Sequence, residues 1–504
     1  MANQYTETEN GALAYKTSEN NIVDFFMMFV RDLKKEDNFN YIEKCWKFDP
    51  KKTIAVIFNG RDRKNGKKEK KIANDAMRWL SINKPLTYKA NLMTYINDYG
   101  RWKDALNIAF YHNKKPYEIQ IFAEQLQKDI ALIKDDNKTV SISLCAKWAP
   151  SENDRNDRKK RHAKLIASQI FGEEEPKKME KYRKEILVPL RKHLEIIENK
   201  MCSNQWDKID YKAVPAVASK RSAPAFTKHD KERYEKYLES VKSGEVKMKT
   251  TGILPHELTK YYIDNVTKNP GKCDTIELQW DAILEDVRNS GTLGSALAVV
   301  DLSGSMFSAS NGSIPAQVAI ALGIITARCC NNKFKNKFIT FSQSPELRTL
   351  SEGSLYDAYN EIVNDVEYGL NTDFLKCCEC IINYGIANNI QDKDMPKKLF
   401  VFSDMQFDQA SQNEPDIKTL YQIISNKFKN KNYSVPKFIY WNLNSDSKET
   451  FPVKCSVENT AMVSGFSEQL LKIFMKYDEF NPDIIVEEIL KPYLDKITIV
   501  EEEI

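Results

Sequence analysis

Asp301, Ser303 and Ser305 stand at alternate positions in the run Ala296-Leu-Ala-Val-Val-Asp-Leu-Ser-Gly-Ser-Met306. Five apolar residues carry the chain through a core and stop at a carboxylate, two hydroxyls and a glycine. A loop of that kind at the carboxyl end of a parallel strand is where open α/β sheets bind ligands. Every donor offered is oxygen, which suits a hard divalent cation such as Mg²⁺ or Mn²⁺. Taken alone, Asp301 could equally cap a helix, as aspartate often does.

The pattern Asp-x-Ser-x-Ser resembles the metal-ion-dependent adhesion site of von Willebrand factor A domains. In that family a threonine from a second loop and an aspartate from a third complete the coordination. Gly369-Leu-Asn-Thr-Asp-Phe374 offers Thr372, and Lys398-Leu-Phe-Val-Phe-Ser-Asp404 is a second apolar strand ending in a carboxylate, Asp404. The resemblance therefore implies a metal set of Asp301, Ser303, Ser305, Thr372 and Asp404. Asn371-Thr372 departs from the Gly-Thr often seen in the second loop but keeps the hydroxyl. The resemblance further implies an open coordination position that an acidic side chain or a phosphate oxygen of a partner could fill.

These loops need a sheet to hold them. From about residue 290 the pattern alternates between strands and helices: strands over 296–301, 336–342, 346–350, 397–403, 436–442 and 460–464, and helices near 314–328, 354–366, 373–388, 415–429 and 467–476. Such βαβ alternation predicts a mostly parallel sheet covered on both faces. Before it, apolar spacings of three and four residues predict helices over 21–33, 72–82, 88–111, 115–134, 158–171, 177–201, 229–243, 255–268 and 276–289, an α-solenoid or irregular array. Lys52-Thr-Ile-Ala-Val-Ile-Phe58 reads as a strand or a buried helix. The expected division is a helical part over 1–289, an α/β part over 290–480 and a helical, acidic tail over 481–504.

Composition agrees with a soluble chain of about two to four domains. It has 504 residues, 42% hydrophobic and 29% charged, with a formal net charge of +4. No apolar run approaches the ~20 residues that cross a bilayer, and the start shows no secretory signal pattern. The ten cysteines have no framework spacing, so reduced thiols and a cytoplasmic location are expected. Cys377, Cys378 and Cys380 fall in a helical pattern without a second pair at zinc spacing.

Charge is clustered more than it is unbalanced. Arg61, Arg63, Lys64, Lys67, Lys68, Lys70 and Lys71 surround Gly66 and Glu69 and read as a solvated loop. Arg155, Arg158, Lys159, Lys160, Arg161 and Lys164 stand evenly between a solvated face and nucleic-acid contact; Lys220 and Arg221 form a third site of the same kind. Lys147-Trp148-Ala-Pro150 could stack a base or bury its indole at a helix end.

Several longer phrases carry a second resemblance: Ser143-Leu-Cys-Ala-Lys-Trp-Ala-Pro-Ser151, the stretch from Phe226 to Gly244, Leu254-Pro-His-Glu257, Tyr440-Trp-Asn-Leu443 and Val463-Ser-Gly-Phe-Ser467. With the metal loop they resemble a poorly characterised family of plants, fungi and large DNA viruses that joins a TROVE-like helical half to a von Willebrand A-like half. It is distantly similar to the Ro autoantigen. This implies RNA or ribonucleoprotein binding by the helical half and Mg²⁺-dependent binding of a partner by the other. A protein-only scaffold is the alternative.

Enzyme chemistry finds little support. Ser303 stands where a haloacid-dehalogenase-like site needs a second aspartate. No Gly-x-Ser-x-Gly elbow and no glycine-rich phosphate loop occurs. The five histidines, His112, His162, His193, His229 and His256, lie apart in the helical half. A non-enzymatic binding protein is expected.

Overall fold

The computed structural model describes residues 4–501 apart from 110–115, 136–139, 153, 156, 265–270, 308–314, 332, 342–344, 365–372, 409–418 and 445–448. Eight strands are present among them: β1 (Tyr5–Glu7), β2 (Leu13–Tyr15), β3 (Ala296–Val300), β4 (Lys337–Thr340), β5 (Leu347–Thr349), β6 (Lys398–Ser403), β7 (Lys437–Asn442) and β8 (Thr460–Ser464). β1 and β2 form a small antiparallel hairpin that the sequence pattern does not announce. The other six form one sheet in the order β5-β4-β3-β6-β7-β8, parallel except for the edge strand β5. The expected helical-then-α/β architecture is what the chain adopts.

The central strands are near-continuous apolar runs because both faces of the sheet are buried. β3 and β6 are buried at every position. Val300 and Phe400 belong to one face. A Cβ on Gly323, in the helix Pro315–Cys329, would come within 2.6 Å of Val300 Cγ2, so this helix lies on the sheet at glycine distance. Phe400 meets Phe474 edge-on at 5.5 Å on the same face. Phe438 and Tyr440 point the other way, where Phe374 and Tyr421 cover them.

By packing, the chain forms two compact units: one of residues 1–73, 215–221 and 238–497, the other of 74–214, 222–237 and 498–504. The first 73 residues thus pack with the sheet. Helix Asn21–Met28 is capped by the Asn20 side chain and is buried on all sides from Ile22 onward, shorter than the helix expected over 21–33 and without a polar face. Its last carbonyls meet the carboxyl ends of β7 and β8. The Asn442 amide donates to Met27 O at 3.3 Å and the Ser464 hydroxyl to Phe26 O at 2.8 Å.

The first basic run corrects its expectation. It is not a solvated loop: Lys67 has no exposed surface, and Arg61 and Glu69 are buried. The Lys67 ammonium donates to Phe26 O, Phe29 O and the Ser464 hydroxyl, and lies 3.7 Å from the Phe26 ring centroid. A cation at a helix carboxyl end is electrostatically favourable, although burial drives its pKa well below the usual lysine value. Lys68 pairs with buried Glu468, and Glu69 with Arg31, whose guanidinium lies 4.5 Å from the Phe466 ring centroid. A lysine-rich composition reads as solvated only while its acceptors are unknown. Lys52–Phe58 proves to be part of a buried helix, Pro50–Arg61. There Gly60 is required, because a Cβ would stand 2.2 Å from the Phe29 ring.

In the second unit the stretch expected as one helix over 88–111 is divided. Helix Pro85–Thr94 runs into a π-turn at Tyr95–Tyr99, and a new helix begins at Trp102. Gly100 makes the break: a Cβ there would meet Tyr95 O at 2.8 Å and Asp104 Oδ2 at 2.9 Å. Asp104 caps the new helix through the Arg101 amide at 2.9 Å. Two further helices, Lys35–Phe48 and Ala216–His229, fall outside the expected set.

Lys67→Met keeps the length of the side chain but leaves three buried oxygens without their shared donor. The expected loss is roughly 3 kcal/mol or more, read as a lower urea midpoint. A midpoint within experimental error of the parent would show that the ammonium contributes nothing.

Candidate metal centre

β3 connects to β4 on one side, whereas β6 begins the run to β7 and β8 on the other. The carboxyl ends of β3 and β6 therefore flank the point where strand order reverses, the usual ligand crevice of an open α/β sheet. Asp301 follows β3 and Asp404 follows β6, and the register pairs Val300 with Phe402. The topology thus brings together two carboxylates that are 103 positions apart in the sequence.

Both are buried: Asp301 has no exposed surface and Asp404 is 2% exposed. Asp301 Oδ1 accepts from the Ser303 amide at 2.9 Å, and Oδ2 from the Ser403 hydroxyl at 2.5 Å. The Ser303 and Ser305 hydroxyls are 3.3 Å apart. Ser305 also hydrogen-bonds to Asp404, and the Gln406 amide donates to Asp404 Oδ1 at 3.1 Å. Asp404 Oδ2 is buried and has no hydrogen-bond partner among the described residues. Burial and, after it, the Asp404 charge push Asp301 up to about 7. Burial also raises Asp404, against the hydrogen bond from Ser305. Two carboxylates thus share a dry crevice that holds hydroxyls and amides as their hydrogen-bond donors.

The backbone is bent to make this site. Met405, directly after Asp404, is buried with φ of 66°, a left-handed conformation that costs a non-glycine residue on the order of 1 kcal/mol or more. The following loop is held by the N-terminal hairpin. Thr8 donates to Phe407 O at 2.7 Å, the Glu9 amide to Gln406 Oε1 at 2.8 Å and the Asn10 side chain to Gln406 O at 2.7 Å. The Glu9 charge is close enough to raise Asp404 further.

Four of the five expected ligands, Asp301, Ser303, Ser305 and Asp404, are linked in one hydrogen-bonded group. Thr372 lies outside the described residues; Asp373 beside it caps the helix Phe374–Ala387 through the Lys376 amide. Ser403 and Gln406 are additions to the expected set. Ser403 is signalled only by its place as the last residue of an apolar strand, and Gln406 by nothing local. Among the described residues no group of three His, Cys, Asp or Glu side chains is placed to hold a metal; the cluster at the switch point is two carboxylates with hydroxyls.

The donor set fits a hard cation. Asp301, Asp404 and the hydroxyls of Ser303 and Ser305 would hold it, and the partnerless Asp404 oxygen is the group that most needs it. The other titratable residues singled out in the sequence take separate places. Cys377 and Cys378 are buried thiols, with pKa values raised by burial. His162 sits 3.8 Å from Asp157, His193 bonds to Val140 O and His229 stacks on Trp206. His256 is fully buried, and burial lowers its pKa strongly; His112 lies outside the described residues. Lys220 pairs with Glu257 at 3.1 Å and, with exposed Arg221, belongs to the sheet-containing unit. Arg155, Arg158, Lys159, Arg161 and Lys164 are exposed in the other unit, with Lys160 partly buried among them.

Comparison with known proteins places these observations in a family. Residues 8–119 and 118–293 match a domain of unknown function, DUF2828, and residues 295–496 match a second, DUF7788. The chain is 33% identical to an uncharacterized protein of Acanthamoeba polyphaga mimivirus over 517 aligned residues, covering 97% of this chain and 87% of the viral protein. Among solved structures it is similar to the Deinococcus radiodurans Ro (RSR) protein, with 13% identity, a TM-score of 0.39 and coverage of 91% of this chain and 99% of that one. At that score the likeness decides nothing about ligand or mechanism.

Asp404→Asn keeps the oxygen that accepts from Gln406 and removes one of the two repelling charges. In EDTA near neutral pH the variant is expected to melt above the parent by about 1 °C, on the order of 1 kcal/mol. In millimolar Mg²⁺ the order should reverse, because only the parent gains the binding free energy. The same ranking in both buffers would contradict the reading of the site.

Proposed function

This chain belongs to the two-part family that joins DUF2828 to DUF7788, and from that premise we propose that it is a non-enzymatic binding protein with two separate binding sites. In the first, a Mg²⁺ or Mn²⁺ ion held by Asp301, Ser303, Ser305 and Asp404, with Thr372 as the family resemblance adds it, presents an open position to an acidic side chain of a protein partner. In the second, the helical part binds RNA. The observation that carries the first site is the buried, partnerless Asp404 oxygen beside Asp301.

The role of each residue follows from its chemistry. Asp301 supplies charge and is fixed by Ser303 and Ser403. Ser303 and Ser305 supply neutral oxygens, so the ion keeps the hard, oxygen-seeking character that attracts an anionic partner. When bound, the ion would supply that attraction and the orientation of the partner's carboxylate. Free thiols throughout the described chain would suit a reducing, cytoplasmic setting. Among the described residues no helix is long and apolar enough to cross a membrane.

RNA binding is supported by the exposed basic run at 155–164. The expected result is retention of single-stranded RNA at ~50 mM salt, falling steeply as salt rises because phosphate contacts release counterions. Asp301→Ala should leave that retention unchanged, since the basic run belongs to the other compact unit. Absence of retention at low salt would sink the RNA reading and favour a protein-only scaffold.

A further inference from the structure

Ser143–Ser151 is one of the phrases that carry the sequence resemblance, and several polar groups of the fold hold it in place. Asp129, itself buried, accepts from the Ser143 hydroxyl at 2.5 Å and from its amide at 3.3 Å. The Ser143 hydroxyl in turn accepts from the Cys145 amide at 3.1 Å, starting the short helix Cys145–Trp148. Arg191 reaches across to three oxygens: Ala146 O at 3.1 Å, Ala149 O at 2.6 Å and the Ser151 hydroxyl at 2.9 Å. The Tyr182 hydroxyl donates to Pro150 O at 3.2 Å. A guanidinium bridging three acceptors in one loop fixes its backbone far more firmly than a surface turn requires.

What the loop presents is Trp148, which stays partly exposed and does not take the buried place at a helix end that its sequence also allowed. Two cations lie over its ring, so a stacking base would take a place that these mobile side chains now hold. Arg101 Cζ lies 5.4 Å and Lys103 Nζ 5.7 Å from the indole centroid. Both come from the segment that Gly100 and the Asp104 cap turn into place. The basic run belongs to the same compact unit. Asp157 caps the helix His162–Phe171 through the amides of His162 and Ala163, both at 2.9 Å. This places Arg158, Lys159, Arg161 and Lys164 on the surface. Lys160 is held below the usual lysine range by partial burial and then by the charges of Arg78 and Lys103. No carboxylate among the described residues forms an ion pair with Lys103, Arg158, Lys159, Arg161 or Lys164. All of these residues belong to the second compact unit.

Resting on the RNA reading above, we propose that Trp148 is a stacking platform for an unpaired base of single-stranded RNA, with Arg101 and Lys103 neutralising the phosphates beside that base. An indole offers every base a face of suitable size, and a positive groove follows the backbone without reading sequence. Duplex RNA keeps its bases stacked on one another and has no face to give. An acidic peptide would use the cations but has no group that needs the indole, so the aromatic ring favours RNA.

The test uses the full chain and a fluorescent oligouridine of about twenty nucleotides, longer than a single stacking site needs. Trp148→Ala is expected to weaken binding by roughly five- to a hundredfold, the range that base–aromatic stacking supplies. Trp148→Phe should recover most of it, with an unchanged melting temperature as the folding control. Arg101→Gln combined with Lys103→Gln should lower the slope of log affinity against log salt by about 0.7 for each phosphate no longer neutralised. Wild-type affinity retained by Trp148→Ala would overturn the platform while leaving RNA binding intact. Equal competition by a duplex of the same length would overturn single-strand recognition. Displacement by polyglutamate from a protein that holds oligouridine no more tightly would assign the patch to acidic peptides. Failure of the parent protein to bind RNA at ~50 mM salt would remove both this inference and the reading beneath it.

Discussion

Two carboxylates that repel each other in a dry crevice set the central problem of this fold. Asp301 and Asp404 are placed side by side because β3 and β6 are neighbours and each strand ends where its apolar run ends. Burial makes their charge costly and mutual repulsion makes it costlier, so Asp301 titrates near neutrality. Hydroxyls and amides from Ser303, Ser305, Ser403 and Gln406 offset part of that cost, but one Asp404 oxygen has no hydrogen-bond partner among the described residues. A stability-optimised core would replace such a pair with apolar residues. The pair sits at a topological switch point, followed by a left-handed Met405.

A buried cation solves a different problem in the same unit. Helix Asn21–Met28 ends over the carboxyl ends of β7 and β8, where Ser464 and Asn442 also meet its last carbonyls. Lys67 supplies a donor to Phe26 and Phe29 and ties both to Ser464. The first 73 residues pack with the sheet, and Lys67 is one of the ties, even though the family boundary falls between 293 and 295. The halves defined by sequence and the units defined by packing answer different questions: one follows domain matches along the chain, the other the burial of apolar surface.

Much of this is legible in the sequence, for physical reasons. Parallel strands buried on both faces are uninterrupted apolar runs, so β3, β6, β7 and β8 stand out, and so do the aspartates that follow two of them. Ser403 is hidden because a serine closing a strand looks like any strand residue until its partner across the ladder is known. Lys67 misleads because local composition cannot reveal carbonyls contributed from about forty positions away. The helix expected over 88–111 conceals a break, since the apolar spacing on either side of Gly100 stays in phase and only the close approach of Tyr95 O and Asp104 demands a glycine. Trp148 is recognisable as an aromatic among basic residues; that Arg191 and Asp129 immobilise its loop depends on contacts the linear pattern does not contain.

The central claim is that the Asp301–Asp404 crevice completes itself with one hard cation, and manganese gives it the most direct test. Titrating the metal-free protein with Mn²⁺ and following the free ion by electron paramagnetic resonance should show one bound ion per chain, displaced by excess Mg²⁺ and lost in Asp301→Asn. A parent protein that binds no more Mn²⁺ than Asp301→Asn does would contradict the account.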